Sequence, residues 1–98
     1  MSEQEAPRYR LVTTSAVRRQ LAEAPPRGLP ETVAVAVFEF ISGSPLVAPR
    51  RVGKPLLAPF EGLWVARRGA YRVRYEIDDA DGAVRVLDVD HRANAYHR

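Results

Sequence analysis

Hydrophobic and polar positions along the chain follow two periods, which separate predicted strands from predicted helices. A period of two marks residues 9–13 (YRLVT) as a β-strand and marks three further strands at 62–68, 71–78 and 83–90. Short polar or glycine-containing turns separate the last three strands, so they are expected to form an antiparallel meander.

A helical period covers the stretch between the first two strands. One helix is predicted over 16–24, with Thr14 or Ser15 as its N-cap, and two prolines end it because they lack the N–H that a helix needs. A second helix opens at 28–30 and carries a wide apolar stripe, formed by Val33, Val37, Phe40 and Ile41. A tight turn joins the two helices into a predicted hairpin.

Residues 44–61 contain four prolines and are predicted to be a loop or one short strand around 51–57. The order is therefore β-α-α-β-β-β, an α+β fold with an N-terminal helical hairpin on one face of a small, mainly antiparallel sheet. Residues 1–8 are expected to be a disordered polar leader, and 9–98 a single domain.

A two-residue turn at Gly69-Ala70 places Arg67 directly opposite Arg72 on the neighbouring strand. Two like charges in that position cost stability, and a bound anion would remove the cost. The alternation puts a core beneath the helices, made of Trp64, Ala66, Tyr71, Val73, Tyr75 and Ile77, and leaves the other face to Leu63, Val65, Arg67, Arg72, Arg74 and Glu76. This face is a candidate phosphate site; alternatively its arginines spread into water beside Glu76 or Asp88.

Composition narrows the chemistry. The 98 residues carry a net charge of +3, and fourteen of the fifteen cations are arginine, with Lys54 the exception. Either genome composition or phosphate binding explains that bias. There is no cysteine, and His91 and His97 are the two histidines, so neither a metal site nor a cofactor is expected. No apolar run is long enough to span a bilayer, and a cytoplasmic protein is expected.

Three segments together resemble the RelE/ParE superfamily of toxins, especially an actinobacterial RelE branch. They are RVGKPL at 51–56, GLWVARRGAYRVRYEID at 62–78 and VRVLDVDHRANAY at 84–96. The resemblance covers about residues 8–98 and implies a RelE-like fold. It implies an endoribonuclease that cleaves mRNA in the ribosomal A site without a metal, by attack of the substrate's 2′-hydroxyl on the adjacent phosphate.

The resemblance also implies roles for particular residues. Arg72 and Arg92 match the family's two transition-state arginines, and Tyr96 matches a tyrosine that stacks on the base or orients the hydroxyl. Arg67 lies on the strand that carries basic residues in the family, and His91 is the candidate for proton transfer. Further RNA contacts are expected from Lys54, Arg51, Arg68, Arg74 and His97. Leu63 and Val65 stand where an enterobacterial relative carries two lysines.

Alternatives to this function are part of the same resemblance. ParE members keep the fold and poison DNA gyrase by binding, without catalysis, and a degenerate toxin would do neither. Both active classes imply a RelB-like antitoxin encoded adjacently, whose C-terminal segment folds onto the toxin, over the sheet and the helical hairpin. Operator DNA would then be bound only through the antitoxin.

Overall fold

The computed structural model describes residues 8–91, and this part of the chain forms five strands and four helices. Their bounds are β1 Arg10–Thr13, α1 Ser15–Ala22, α2 Glu31–Ile41, α3 Ser44–Val47, α4 Pro49–Val52, β2 Lys54–Pro55, β3 Leu63–Arg68, β4 Tyr71–Asp78 and β5 Ala83–His91. The predicted α+β class is confirmed. No helix within 8–91 combines the length and apolar character needed to cross a membrane.

The helical hairpin forms as predicted, with small shifts at its ends. Thr14 is the N-cap of α1: its hydroxyl accepts a hydrogen bond from the Val17 N–H at 3.2 Å. The helix ends at Ala22, two residues before the predicted end. Gly28 lies in the turn to α2, where a Cβ would come within 1.6 Å of the Glu23 carbonyl oxygen, so only glycine allows this close approach.

The proline-rich stretch is more ordered than predicted. The short strand is present as β2, but two single-turn helices, α3 and α4, precede it. Four-residue helices are too short to show a hydrophobic period, and for this reason the pattern indicated a loop. Arg50 of α4 binds Asp79 at 2.6 Å, and Tyr9 donates to the same carboxylate at 2.7 Å. These bonds hold the pKa of Asp79 below its usual value.

The sheet has the order β1-β5-β4-β3-β2, with β1 parallel to β5 and every other pair antiparallel. The helices cover one face, where buried side chains from helices and strands form a single core: Val17, Leu29, Val37, Ile41, Leu46, Ala66, Tyr71, Val73, Tyr75, Val84, Val86 and Val89. The Tyr75 hydroxyl donates to the Pro49 carbonyl at 2.6 Å, which fixes α4 against the sheet. Burial raises the pKa of Tyr75 to about 12.

The predicted hairpin register is confirmed: Arg68 pairs with Tyr71, and Arg67 with Arg72. Gly69 has a φ of +56°, the left-handed region that glycine enters without strain, which suits the first position of a two-residue turn. The register fixes which side chains of β3 and β4 share a face.

A one-residue bulge in β5 was not predicted. Tyr75 pairs with Val86 and Arg74 with Asp88, so Leu87 has no partner on β4. An extra residue reverses the alternation of the strand beyond it. The core face of β5 therefore holds Val84, Val86 and Val89, and the other face holds Arg85, Asp88 and Asp90.

Candidate nucleic-acid interface

The face of the sheet turned away from the helices carries four of the ten predicted site residues; we call it the open face. Cross-strand partners lie on the same face, so the pairing register arranges this surface in rows that run across the strands. Successive rows on one face are two residues apart, about 7 Å along a strand.

The first row consists of Arg67, Arg72 and Asp90, on β3, β4 and β5. The two arginines are direct neighbours, as the hairpin predicted. The Arg72 Nη2 donates to Asp90 Oδ2. Arg67 is exposed and forms no ion pair with any residue in 8–91. The row thus has two cations and one carboxylate, a net charge of +1.

The second row consists of Lys54, Val65, Arg74 and Asp88, on β2 to β5. Arg74 Nε donates to Asp88 Oδ1 at 2.9 Å, and Lys54 is exposed at the sheet edge. This row also has two cations and one carboxylate. Each of the two adjacent rows therefore carries one surplus positive charge.

The third row is neutral. It consists of Leu63, Glu76 and Arg85, and Arg85 Nη1 donates to Glu76 Oε1 at 3.0 Å. The surplus positive charge of these three rows is therefore confined to the half of the open face nearest the Gly69-Ala70 turn. Arginine forks donate two parallel hydrogen bonds to phosphate, which makes this half the candidate anion site.

Two predicted site residues do not reach the open face. His91 pairs with Tyr71, whose side chain faces the core, so His91 lies on the helix-covered side. This position follows from the bulge, because the reversed alternation of β5 places Asp90 on the open face. Arg68 also pairs with Tyr71, and its guanidinium lies over the Phe40 ring, 4.6 Å from the ring centre.

The remaining predicted residues lie elsewhere. Arg51 is exposed in α4, the helix that the Tyr75–Pro49 hydrogen bond places on the helix-covered side. Arg92, Tyr96 and His97 lie outside the described residues. Of the ten predicted residues, the structure therefore brings together Arg67, Arg72, Arg74 and Lys54.

Asp90 is the part of this surface that the sequence analysis missed. The signal was present in β5, where Val86 and Leu87 are consecutive apolar residues and Asp88 and Asp90 then take the polar positions. Two apolar neighbours within an alternating strand indicate a bulge, because unbroken alternation would turn both aspartates into the core.

A second surface lies between α1 and α2. It is an apolar groove of about 730 Å³, in which Val35 and Phe38 are 52% and 56% exposed. Its charged lining residues are all acidic: Glu23, Glu31 and Glu39. Beyond Phe38 a smaller hollow of about 440 Å³ continues to Leu11 of β1, an edge strand of the sheet.

Comparison with known proteins identifies the family. The model of the ParE toxin of type II toxin–antitoxin systems, parDE, matches residues 13–96. The chain belongs to this toxin family. The toxin is 44% identical over 90 residues to Toxin RelG of Mycobacterium tuberculosis, covering 92% of the chain and 98% of that protein. It is 41% identical to Toxin RelE of the same organism over 90% of the chain and 86% of that protein.

A solved structure has the same fold. A chain of the toxin–antitoxin complex RelBE2 from Mycobacterium tuberculosis superposes with a TM-score of 0.74 at 44% identity, covering 89% of the toxin and 100% of that chain. The toxin therefore has the RelE fold that the sequence motifs indicated, and it is the toxin of a type II toxin–antitoxin system.

Proposed function

We propose that the toxin is an endoribonuclease that cleaves mRNA in the ribosomal A site, in the cytoplasm, and so inhibits translation. The observation that carries the proposal is the direct pairing of Arg67 with Arg72 on a face that no described element covers. Two relatives named RelE and RelG support a ribonuclease function, since the sequence motifs resemble the RelE branch of the superfamily.

In the proposed reaction the substrate supplies its own nucleophile. Its 2′-oxygen loses a proton and bonds to the adjacent phosphorus, and the bond from phosphorus to the 5′-oxygen breaks, leaving a 2′,3′-cyclic phosphate and, after protonation, a 5′-hydroxyl. The phosphorus gains negative charge on the way. Arg67 and Arg72 would stabilise that charge, and electrostatic stabilisation of this kind is usually the largest single contribution to such catalysis. Arginine suits this role because it stays protonated at neutral pH.

Neighbouring groups complete the proposed site. Arg74 and Lys54, in the second row, would bind the next phosphate along the mRNA. By resemblance, Arg92 would be the second transition-state arginine and Tyr96 would stack on a base. We do not assign His91 to proton transfer, because it lies on the other side of the sheet.

A second candidate function is poisoning of DNA gyrase by binding alone. The match to the ParE model favours it, because ParE toxins in this superfamily act in that way. The cationic rows of the open face would then have no catalytic role.

Brief induction of the toxin separates the two functions. If the toxin cleaves mRNA, primer extension on an abundant transcript would show new, discrete 5′ ends within the coding sequence. Arg72→Ala would abolish these ends. Intact transcripts together with DNA damage would support the gyrase function and contradict the ribonuclease.

We further propose a RelB-like antitoxin as the partner, encoded next to the toxin and carrying the operator-binding part of the complex. The related chain from Mycobacterium tuberculosis was solved in such a complex. The groove between α1 and α2 suits an amphipathic segment with apolar and basic side chains, because its exposed ring at Phe38 is accompanied by three glutamates.

A further inference from the structure

The Arg72 side chain is held by a carboxylate on the next strand, in an ion pair that solvent partly reaches. The side chains of Arg72 and Asp90 are 38% and 25% exposed. Ion pairs that solvent reaches contribute little to folding. A positively charged phosphate site also gains affinity from fewer carboxylates, so Asp90 lowers the net charge of the row for only a small gain in stability.

The backbone that presents Asp90 is fixed from the opposite side of β5. β1 pairs with β5 only as far as Val86, and beyond it the side-chain amide of Gln20 replaces the missing strand. Gln20 Nε2 donates to the Val89 carbonyl at 2.7 Å, and its Oε1 accepts from the Val89 N–H at 3.3 Å. The Thr14 hydroxyl donates to the Leu87 carbonyl at 2.9 Å. Asp90 therefore projects from an anchored segment.

The pairing sets where the guanidinium of Arg72 lies. An arginine side chain has many rotamers, and an unpaired one must be ordered when the substrate binds. The bond to Asp90 draws the guanidinium towards β5, away from Arg67 on β3. It engages one nitrogen of Arg72 and leaves the other donors of the fork for a phosphate between the two arginines.

We propose that Asp90 is a positioning residue, which holds Arg72 in the orientation that binds the reacting phosphate. This inference rests on the proposed ribonuclease function. Groups that are ordered before the substrate arrives stabilise the transition state without a cost at the moment of reaction. Asp90 acts through Arg72 and does not itself exchange a proton with the substrate.

Asp88 is a matched control within the same strand. It pairs with Arg74 in the second row as Asp90 pairs with Arg72 in the first, and the Arg74–Asp88 distance is 2.9 Å. Arg74 has Val65 opposite on β3, in place of a second arginine. Asp88→Asn removes the same charge from the open face as Asp90→Asn, without disturbing the Arg67–Arg72 row.

The test is single-turnover cleavage of mRNA on programmed 70S ribosomes, with binding measured separately on a 2′-deoxy A-site codon. For Asp90→Asn we expect the rate constant at saturation to fall by about tenfold to a hundredfold, because a small misplacement costs that much. Binding should be unchanged or tighter. Asp88→Asn should keep the rate constant at saturation within about threefold of the wild-type value. Its binding should change as that of Asp90→Asn does, because both substitutions remove one negative charge.

Further outcomes decide between positioning and other roles. Asp90→Glu, which keeps the carboxylate, should recover part of the rate, and it remains informative if Asp90→Asn folds poorly. A pH–rate profile of Asp90→Asn that keeps the wild-type shape supports positioning; loss of one limb would show proton transfer and overturn it. Equal rates for Asp90→Asn and wild type would overturn the inference alone. Absence of cleavage by the wild type would overturn the proposed function, and the inference with it.

Discussion

The side chain of Gln20 binds both backbone groups of Val89, the residue between Asp88 and Asp90. The side-chain amide thus makes the two hydrogen bonds that a neighbouring strand would make, at the point where β1 has ended and β5 continues. The helical hairpin is in this way coupled to the segment of β5 that carries the carboxylates of the open face.

Replacing Gln20 with alanine should destabilise the toxin by about 1–2 kcal/mol, because two hydrogen bonds are lost and the Val89 backbone groups must find water. Urea unfolding monitored by circular dichroism measures this change. Arg19→Ala, at an exposed position of the same helix, is the control and should change stability by less than about 0.5 kcal/mol. Equal effects of the two substitutions would contradict the strand-replacement role of Gln20.

Ionisation of Tyr75 should lower the stability of the toxin at alkaline pH. Burial raises its pKa to about 12, above the unfolded value of about 10. A raised pKa of this kind means that the full stability is present below pH 10 and is lost as the pH rises towards 12. By linkage the loss amounts to about 2–3 kcal/mol.

Stability measured at pH 9 and pH 11.5 tests this expectation. Tyr75→Phe has no hydroxyl to ionise, so it should start less stable, without the bond to Pro49, and then lose less between the two pH values. Burial also raises the pKa of Tyr71, so Tyr71 contributes to the loss of stability that remains in both proteins. The same pH dependence in both proteins would refute the assignment to Tyr75.

Arg67→Ala and Arg72→Ala should each reduce mRNA cleavage by about a hundredfold or more, since each removes a group that binds the transition-state charge. Both side chains are on the surface, so the melting temperature should change little. Arg10→Ala is the matched control: Arg10 forms an exposed ion pair with Asp81 at 2.6 Å, away from the Arg67–Arg72 row. A loss of cleavage with Arg10→Ala as large as with Arg72→Ala would point to bulk charge and not to the row.

Phe38→Glu should weaken the antitoxin complex by about tenfold to a hundredfold, because it places a fourth acidic group in the groove and removes an exposed aromatic anchor. Titration of labelled toxin with its antitoxin measures the affinity. Leu57→Glu changes an apolar side chain that is 83% exposed outside the groove, and it should leave the affinity unchanged. If Leu57→Glu were the more damaging substitution, the groove would not be the docking surface.

Much of the fold was predictable because the signals were local. The strands of the hairpin alternate over six and eight residues, and a two-residue turn fixes their register, so the opposition of Arg67 and Arg72 followed from the sequence. The helical hairpin was predictable from its apolar stripe and its bounding prolines.

The bulge in β5 determined the part of the surface that the sequence analysis did not predict. Without Leu87 the residues around it would alternate regularly, and with it Asp90 and His91 exchange faces. His91 was expected in the catalytic site with Arg72, but it pairs with Tyr71, and Asp90 lies beside Arg72. A single unpaired residue changes the chemistry of a surface, and its position depends on tertiary contacts such as the Thr14 hydroxyl to the Leu87 carbonyl.

Purified toxin and ribosomes that carry a synthetic mRNA with one 2′-deoxy nucleotide in the A-site codon test the proposed cleavage of mRNA most directly. The proposed ribonuclease activity predicts rapid cleavage of the all-ribose mRNA, products that end in a 2′,3′-cyclic or 3′-phosphate, and no cleavage at the deoxy position. Cleavage of the deoxy mRNA at the same position, or no cleavage of either mRNA, would contradict it.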